Sequence, residues 1–239
     1  MAQKLTSDSI HCEGSAIIMP ALNEEAVVGD IVRAIRQSVD IPVWLIDDCS
    51  TDRTVCEAKK AGARVISLHQ RLGAWGATQT GFREATRMGL ELVITMDADG
   101  QHDPKHIPAV IRPILERECD VVIGSSPQRG SSLRRLAWKL MRFTSGLRCE
   151  DLTSGFRALN SEALSLLSGT RASHLDYQDV GVLLMLERAG LTINEVPVDM
   201  PPRRNGKSRI FSSWLAVASY MAQTLILGAF KRQRPRLRK

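Results

Sequence analysis

The sequence is poor in the residues that would indicate disulfide or zinc–cysteine chemistry. Its 239 residues include five cysteines, and no two of them have C-x-x-C spacing. An odd count without paired spacing excludes a disulfide framework and a cysteine-paired zinc site, and it fits a reducing compartment. Residues 1–13 also lack the apolar core of a signal peptide, so we expect a flexible N-terminus and no export.

Acidic residues are outnumbered, 26 against 32 basic ones, which gives a formal net charge of +6. The excess lies in two runs: residues 231–239, with six Lys or Arg and no acid, and residues 203–209. A basic end predicts contact with an anionic surface. Aromatic residues are scarce, at 5%, and no nucleic-acid-binding motif is present, so we expect no nucleic acid partner and favour anionic lipid.

Strand-like and helix-like segments alternate through the first two thirds of the chain. Strands are predicted at residues 15–19, 43–46, 64–68, 92–96, 120–123 and, later, 193–198. Helices are predicted at residues 24–37, 52–61 and 75–88, and after Asp103, which is expected to cap a helix that starts with Pro104. The alternation predicts an α/β fold with a mostly parallel sheet flanked by helices, in which ligands bind beyond the carboxyl ends of the strands.

Three polar clusters follow three of these strands. They are residues 20–25 (PALNEE), 47–54 (DDCSTDRT) and 97–104 (DADGQHDP). In a parallel sheet they would share one edge. In the third cluster Asp97 and Asp99 are two residues apart and would point to the same side, with Gln101 two residues further on. Such oxygen ligands suit Mg²⁺ or Mn²⁺. The alternative, a solubilised turn and helix cap, is preferred only for Asp103.

The clusters resemble motifs of family-2 glycosyltransferases. Further matching segments are residues 122–125 (VIGS), 153–158 (TSGFRA), 195–198 (EVPV) and 203–208 (RRNGKS). Their order is similar to that of the polyprenyl-phosphate branch, which includes dolichol-phosphate-mannose synthases. The resemblance spans roughly residues 16–208. It implies a GT-A (Rossmann-like) fold, a UDP- or GDP-sugar donor, a Mg²⁺ or Mn²⁺ ion and inversion at the sugar.

The resemblance also implies roles for individual residues. Those expected to bind the donor are Pro20, Leu22, Glu24, Asp47, Asp48 and Asp97, and those expected to hold the metal are Asp97, Asp99 and Gln101. Those expected to bind phosphate are Arg129, Arg134, Arg135, Arg203 and Lys207. Asp151 would face the reacting sugar, and Asp179 is a candidate base. His102 is a candidate for a group that supports the metal ligands.

Two segments depart from the family pattern. Arg71 stands where an asparagine is usual, and Trp75 stands where a glycine is usual, which bears on donor identity. After VIGS the family usually has Arg-Tyr, whereas this chain has Ser126 and Pro127. Arg129 is the candidate substitute for that arginine.

The acceptor is predicted from its chemistry. A hydroxyl acceptor needs a general base, whereas a phosphate has a second pKa of about 6 and is already ionised. The hydroxyl-acceptor branch usually has a Glu-Asp pair where this chain has Gln178 and Asp179, and the many arginines favour a lipid phosphate. Alternatives are transfer to a sugar hydroxyl in polysaccharide or O-antigen assembly, and a non-catalytic membrane scaffold. A nucleotidyltransferase is disfavoured because no Gly-rich phosphate loop follows the first strand.

Residues 210–230 contain no charged residue and, as a helix, would be roughly 30 Å long. Five polar residues fall on one side of that helix, which predicts an amphipathic helix on the membrane surface rather than a span. A span would also place the basic tail outside, against the positive-inside tendency. The remaining alternative is packing on the protein's own core. We therefore expect a catalytic domain at 14–209, a membrane-surface helix at 210–230, a basic tail at 231–239, and a peripheral position on the cytoplasmic face of the membrane.

Overall fold

The protein is represented by a computed structural model that describes residues 10–127, 142, 147, 149–175 and 180–200. The C-terminal helix and basic tail predicted from the sequence lie outside these residues. Within them, a seven-stranded sheet carries helices on both faces, and a separate pair of short strands lies beside it.

The strands are β1 (Ile10–His11), β2 (Ser15–Ala21), β3 (Val39–Asp40), β4 (Val43–Asp47), β5 (Arg64–Ser67), β6 (Leu92–Thr95), β7 (Val121–Ser125), β8 (Arg157–Asn160) and β9 (Ile193–Pro197). The large sheet has the order β5-β4-β2-β6-β8-β7-β9. All its pairings are parallel except those of β8, which runs antiparallel to both β6 and β7. β1 pairs with β3, so part of the N-terminal segment expected to be flexible is held in a strand.

The helices are α1 (Val28–Ser38), α2 (Thr54–Lys60), α3 (Gly73–Arg87), α4 (Ile107–Leu115), α5 (Ser161–Ser168) and α6 (Val180–Arg188), with 3-10 turns at Pro104–His106 and Thr170–His174. Asp103 caps the first 3-10 turn by accepting the backbone N–H of Lys105, and Pro104 follows it, as predicted. No helix among the described residues is long and apolar enough to cross a membrane.

The core consists of one apolar layer on each face of the sheet. Ile18 and Ile46 belong to the layer that packs under α3, α5 and α6, whereas Ile17 and Leu45 belong to the layer under α1 and α4. Because both faces are covered, the central strands are apolar on both sides, as is typical of parallel sheets. This explains why short continuous apolar runs marked these strands in the sequence.

The predicted α/β fold with a mostly parallel sheet is confirmed, and two of its differences from the prediction bear on the site. Strand β8, which begins at the end of the TSGFRA segment, was not predicted, because only four residues of mixed polarity form it. Helix α1 begins at Val28 rather than at residue 24, because residues 23–25 are hydrogen-bonded to a neighbouring loop.

Candidate active site

The predicted polar clusters meet at one edge of the sheet. Strands β2, β4 and β6 are adjacent and parallel, so the segments that follow them leave the sheet side by side. We call these segments the first loop (residues 22–27), the second loop (residues 48–53) and the third loop (residues 96–103). The expectation that the three clusters share an edge is therefore correct.

Hydrogen bonds fasten the first loop to the second. Asn23 Oδ1 accepts the backbone N–H of Thr51 at 2.8 Å, and the N–H of Asn23 donates to Ser50 Oγ at 3.0 Å. The N–H of Glu24 donates to Thr54 Oγ1 at 2.8 Å. Asn23 has a φ of 54°, a left-handed conformation that asparagine tolerates better than most residues. These polar residues hold two loops together as one surface.

Glu25 and Asp52 extend the same network. Glu25 Oε2 accepts the N–H of Arg53 at 2.9 Å, and the N–H of Glu25 donates to Asp52 Oδ2 at 3.2 Å. Partial burial acts to raise the pKa of Asp52, but hydrogen bonds from Thr54 and from the Glu25 N–H outweigh it, so that the pKa is lowered. Asp52 therefore stays ionised at neutral pH and keeps these donors oriented.

Asp47 and Asp48 are buried and use their carboxylates to organise the backbone. Asp47 Oδ1 accepts the N–H of Ser50 at 3.1 Å within the second loop. Asp48 Oδ1 accepts the N–H of Leu72 at 2.6 Å, and its Oδ2 accepts that of Gly73 at 3.0 Å. Asp48 therefore anchors the start of α3, and the donor contact that the family resemblance implied for it stays a prediction.

The predicted donor-binding residues Pro20, Leu22 and Glu24 lie at the end of β2 and in the first loop, and each is partly exposed. Their position at the carboxyl end of a central strand is where ligands bind in open α/β sheets.

The predicted metal ligands follow β6 in the third loop. The side chain of Asp97 is 35% exposed, whereas Asp99 is buried and its Oδ1 accepts the N–H of Gln101 at 3.0 Å. No group of three His, Cys, Asp or Glu side chains suited to a metal occurs among the described residues. Mg²⁺ is usually bound by one or two carboxylates together with substrate phosphates, and an exposed carboxylate beside a buried one fits that arrangement.

The segment before β8 closes one side of this site. Thr95 Oγ1, on β6, donates to the carbonyl of Gly155 at 2.7 Å. A Cβ added to Gly155 would lie 2.9 Å from both carboxylate oxygens of Asp97, closer than real Cβ atoms approach other atoms. A side chain at residue 155 would therefore have to displace the Asp97 carboxylate.

Asp151, predicted to face the reacting sugar, is fully buried. Its Oδ2 accepts the N–H of Ser126 at 3.2 Å, and its Oδ1 accepts the N–H of Thr153 at 3.2 Å. Its own N–H donates to Glu195 Oε1 at 2.9 Å, while Glu195 Oε2 accepts the N–H of Glu150 at 2.6 Å. In this arrangement Asp151 joins Ser126, just after β7, to Thr153, ahead of β8, and its contact with a sugar stays a prediction.

Glu195 is a positioning residue to which the sequence pattern assigned no role. It lies in β9, in the EVPV segment, and its two oxygens receive two backbone N–H groups from a loop 44 and 45 residues earlier. The only signal was its place in a family motif, because nothing in the local sequence indicates which backbone groups it would bind.

Trp75, one of the two departures from the family pattern, lies in the core rather than in the loops. It is buried, its Nε1 donates to the carbonyl of Ala172 at 2.9 Å, and its ring meets Phe82 edge-on at 6.1 Å. One helical turn further on, Gln79 Nε2 donates to the carbonyl of Leu167 at 3.0 Å. Trp75 therefore joins α3 to the Thr170–His174 turn, while Arg71 is exposed in the segment before α3.

The remaining predicted residues lie outside the part of the chain that the structure describes. They are Arg129, Arg134, Arg135, Asp179, Arg203 and Lys207. Their assignments stay predictions.

Comparison with known proteins agrees with this architecture. The profile of Glycosyl transferase family 2 matches residues 16–167. The chain is 29% identical to undecaprenyl-phosphate mannosyltransferase from Micrococcus luteus, over 81% of this chain and 86% of that protein. It is 28% identical to UDP-N-acetylglucosamine–dolichyl-phosphate N-acetylglucosaminyltransferase from Methanococcus voltae, over 76% of this chain and 83% of that protein.

Among solved structures, glucosyl-3-phosphoglycerate synthase from Mycobacterium tuberculosis in complex with Mn²⁺ and UDP-glucose is similar. Its TM-score is 0.66 at 25% identity, over 93% of this chain and 80% of that one. The sheet, its flanking helices and the loops at the carboxyl edge thus define a glycosyltransferase of the GT-A type. The chain belongs to glycosyltransferase family 2, and its curated relatives lie in the polyprenyl-phosphate branch that the motifs indicated.

Proposed function

We propose that the protein transfers a sugar from a UDP- or GDP-sugar to a polyprenyl phosphate, with inversion and with a divalent metal ion. The observation that carries this proposal is the position of Asp97. It is the partly exposed carboxylate at the carboxyl end of β6, next to Gly155 and beside the joined first and second loops. Two relatives named for lipid-phosphate acceptors support the choice of acceptor.

Asp97 and Asp99, with Gln101, would hold Mg²⁺ or Mn²⁺, and the glucosyl-3-phosphoglycerate synthase with Mn²⁺ and UDP-glucose supports this choice of ion. When bound, such an ion would neutralise charge on the leaving diphosphate. The first loop, with Pro20 and Leu22, would border the nucleoside. The rigid connection of the first and second loops would orient the donor without a change of shape on binding.

In the proposed reaction, a phosphate oxygen of the acceptor attacks the anomeric carbon of the sugar. The new C–O bond forms on the face opposite the bond that breaks, and the nucleoside diphosphate leaves with that bond's electrons. The acceptor phosphate is already ionised, so no protein base has to remove a proton. Arg129, Arg134, Arg135, Arg203 and Lys207 would supply the cations that bring two anions together.

We further propose that the protein works on the cytoplasmic face of the membrane, with residues 14–209 as its catalytic domain. The uncharged segment at 210–230 and the basic tail at 231–239 would bind the anionic surface that carries the lipid acceptor. Flotation with vesicles containing anionic lipid should recover the full chain, and a chain ending at residue 230 should float less. Equal recovery of the two chains would contradict a role for the tail.

The test of the reaction uses the purified full chain with Mg²⁺ or Mn²⁺ and a panel of UDP- and GDP-sugars. Each donor is incubated with undecaprenyl phosphate in vesicles or, as the matched control, with undecaprenol, which has the same chain and a hydroxyl. Released nucleotide and labelled lipid are followed together. We expect lipid-linked sugar only with the phosphate. Transfer to an added oligosaccharide instead would indicate the hydroxyl-acceptor alternative, and no donor binding with either metal would indicate a scaffold.

A pair of variants tests the metal assignment. Asp97→Asn should lower the rate at least 100-fold, because the amide cannot replace a carboxylate charge at the ion. Asp103→Asn is the matched control, since Asp103 caps a 3-10 turn and asparagine caps equally well. Its activity should stay within twofold of the unmodified protein. Equal effects of the two changes would contradict the assignment.

A further inference from the structure

His102 contacts the Asp97 backbone and lies close to its carboxylate. The N–H of Asp97 donates to His102 Nδ1 at 2.9 Å, and His102 Nε2 lies 3.8 Å from Asp97 Oδ2. The second distance is too long for a direct hydrogen bond but short enough for electrostatic attraction. The buried His102 ring therefore lies close to both the backbone N–H and the carboxylate of Asp97, the residue that the proposed function places at the metal.

The ring itself has little freedom to move. His102 is 2% exposed and is stacked on Phe156, with ring centroids 5.3 Å apart and an angle of 21° between the planes. Phe156 is fully buried, and its ring lies so close to Gly124 of β7 that an added Cβ there would come within 2.8 Å. The position of His102 is thus set by β7 and by the residue that precedes β8.

The Asp97 carboxylate also lies against the backbone of Gly155. Gly155 leaves no room for a Cβ between itself and the carboxylate oxygens, and its carbonyl is tied to β6 by Thr95. Asp97 therefore has both an imidazole and a glycine close to its carboxylate. A carboxylate held in this way loses little further rotational freedom when it binds an ion.

We propose that His102 is a positioning residue that, together with Gly155, holds the Asp97 carboxylate in the orientation needed by the divalent ion; this inference rests on the proposed function. Because Nδ1 accepts a hydrogen bond, the neutral ring carries its proton on Nε2, on the side of the Asp97 carboxylate. Groups that orient a metal ligand commonly contribute 10-fold to 100-fold to metal affinity.

The test compares three substitutions at His102. His102→Asn places an acceptor oxygen where Nδ1 stands, His102→Gln places its amide nearer to Nε2, and His102→Phe keeps the stacked ring without either nitrogen. Mn²⁺ affinity is measured with UDP or GDP present, from the electron paramagnetic resonance signal of free Mn²⁺. We expect His102→Phe and His102→Gln to weaken Mn²⁺ binding about 10-fold to 100-fold, and His102→Asn to restore most of the affinity.

Two further variants complete the design. Gly155→Ala should weaken Mn²⁺ binding to a similar degree, because its methyl group would displace the Asp97 carboxylate. His106→Asn is the matched control, since His106 Nε2 also accepts a backbone N–H, that of Asp199 at 3.3 Å. The control should leave Mn²⁺ affinity unchanged. Melting temperatures are recorded for all variants, and if His102→Phe does not fold, the contrast between asparagine and glutamine decides the question.

The outcomes separate this inference from the proposed function. The unmodified protein could bind Mn²⁺ with the same affinity as the folded His102→Gln and Gly155→Ala variants. That result would overturn the positioning role but leave the metal site in place. Absence of Mn²⁺ binding in the unmodified protein would overturn both. Loss of affinity in the glutamine variant with recovery in the asparagine variant would establish the inference.

Discussion

Asp48 Oδ2 accepts the backbone N–H of Gly73, the first residue of α3, at 3.0 Å, and Oδ1 of the same carboxylate accepts the preceding N–H, that of Leu72. The first N–H groups of a helix have no partner within the helix, and the helix dipole favours an anion there. Asp48 is 24 residues from Leu72 in the sequence, yet its carboxylate caps the helix. It joins the second loop to a helix that packs on the central strands.

Replacing Asp48 should therefore destabilise the fold. We expect Asp48→Ala to lower the free energy of unfolding by about 1–3 kcal/mol, because two backbone donors lose a charged acceptor. Asp48→Asn should cost less, since its amide oxygen keeps one of the two bonds. Urea unfolding followed by circular dichroism measures both, and an alanine variant as stable as the unmodified protein would contradict the capping role.

Glu195 is expected to matter for activity as well as for stability. Glu195→Gln leaves one acceptor for two backbone N–H groups, so the loop carrying Asp151 should shift. A displacement of about 1 Å near a reacting centre costs on the order of 100-fold in rate. We expect kcat to fall more than the donor KM changes. Steady-state kinetics measure this, with the exposed Glu118→Gln as the control that should behave like the unmodified protein.

Trp75 should affect stability without affecting donor choice. Trp75→Phe keeps the buried ring but removes the donor to the Ala172 carbonyl, which should cost about 1 kcal/mol. Trp75 lies on α3 and contacts the Thr170–His174 turn within the core rather than the loops of the site. The ranking of donors in the UDP- and GDP-sugar panel should therefore stay the same. A changed ranking would mean that the tryptophan acts on the donor after all.

Gly81 allows α3 to lie directly on β2. A Cβ at Gly81 would come within 2.6 Å of Ile18 Cγ2, so Gly81→Ala should destabilise the protein by about 1–3 kcal/mol through overpacking. Ile18→Ala alone should cost about 2–5 kcal/mol by leaving a cavity. In the double variant the new methyl group enters that cavity, so the two costs should not add. Simple additivity in urea unfolding would contradict this contact.

Glu84 should make stability depend on pH in the acid range. Hydrogen bonds from Arg87 and Arg64 lower the pKa of Glu84 to about 2. A carboxylate with a lowered pKa stabilises the folded state above its unfolded value, near 4.5, and loses that contribution as pH falls towards 2. The stability difference between the unmodified protein and Glu84→Gln should therefore shrink between pH 5 and pH 2. A constant difference across urea titrations in this range would contradict the effect, and added salt should reduce it.

The sequence allowed the strands, most helices and the common edge of the polar clusters to be predicted, because each depends on local patterns. A buried parallel strand is a short apolar run, and parallel neighbours place their following segments together. The spacing of Asp97 and Asp99 predicted a metal site, and that assignment stays a prediction. Strand β8 was not predicted because Arg157 and Asn160 interrupt its apolar sequence. In the structure Arg157 is nevertheless buried and donates to the Ser154 carbonyl.

The roles inside the site were harder to predict, because they depend on partners that are remote in sequence. Asp48 resembled a donor-binding residue, and only the path of the chain showed that its oxygens cap α3. Glu195 gave no local signal, since its partners arrive from a loop 44 and 45 residues earlier.

The sequence by itself determined the family, the alternation of strands and helices, and the carboxylates that follow β6. The family rests on the order of its sequence motifs, and the strands and helices rest on short-range periodicity, both of which the chain carries before it folds. Only the tertiary structure decided that the Asp97 carboxylate lies against Gly155, that β8 runs antiparallel to β6 and β7, and that Trp75 belongs to the core. These depend on which segments the sheet brings into contact, and hydrogen bonds and steric limits act across space rather than along the sequence.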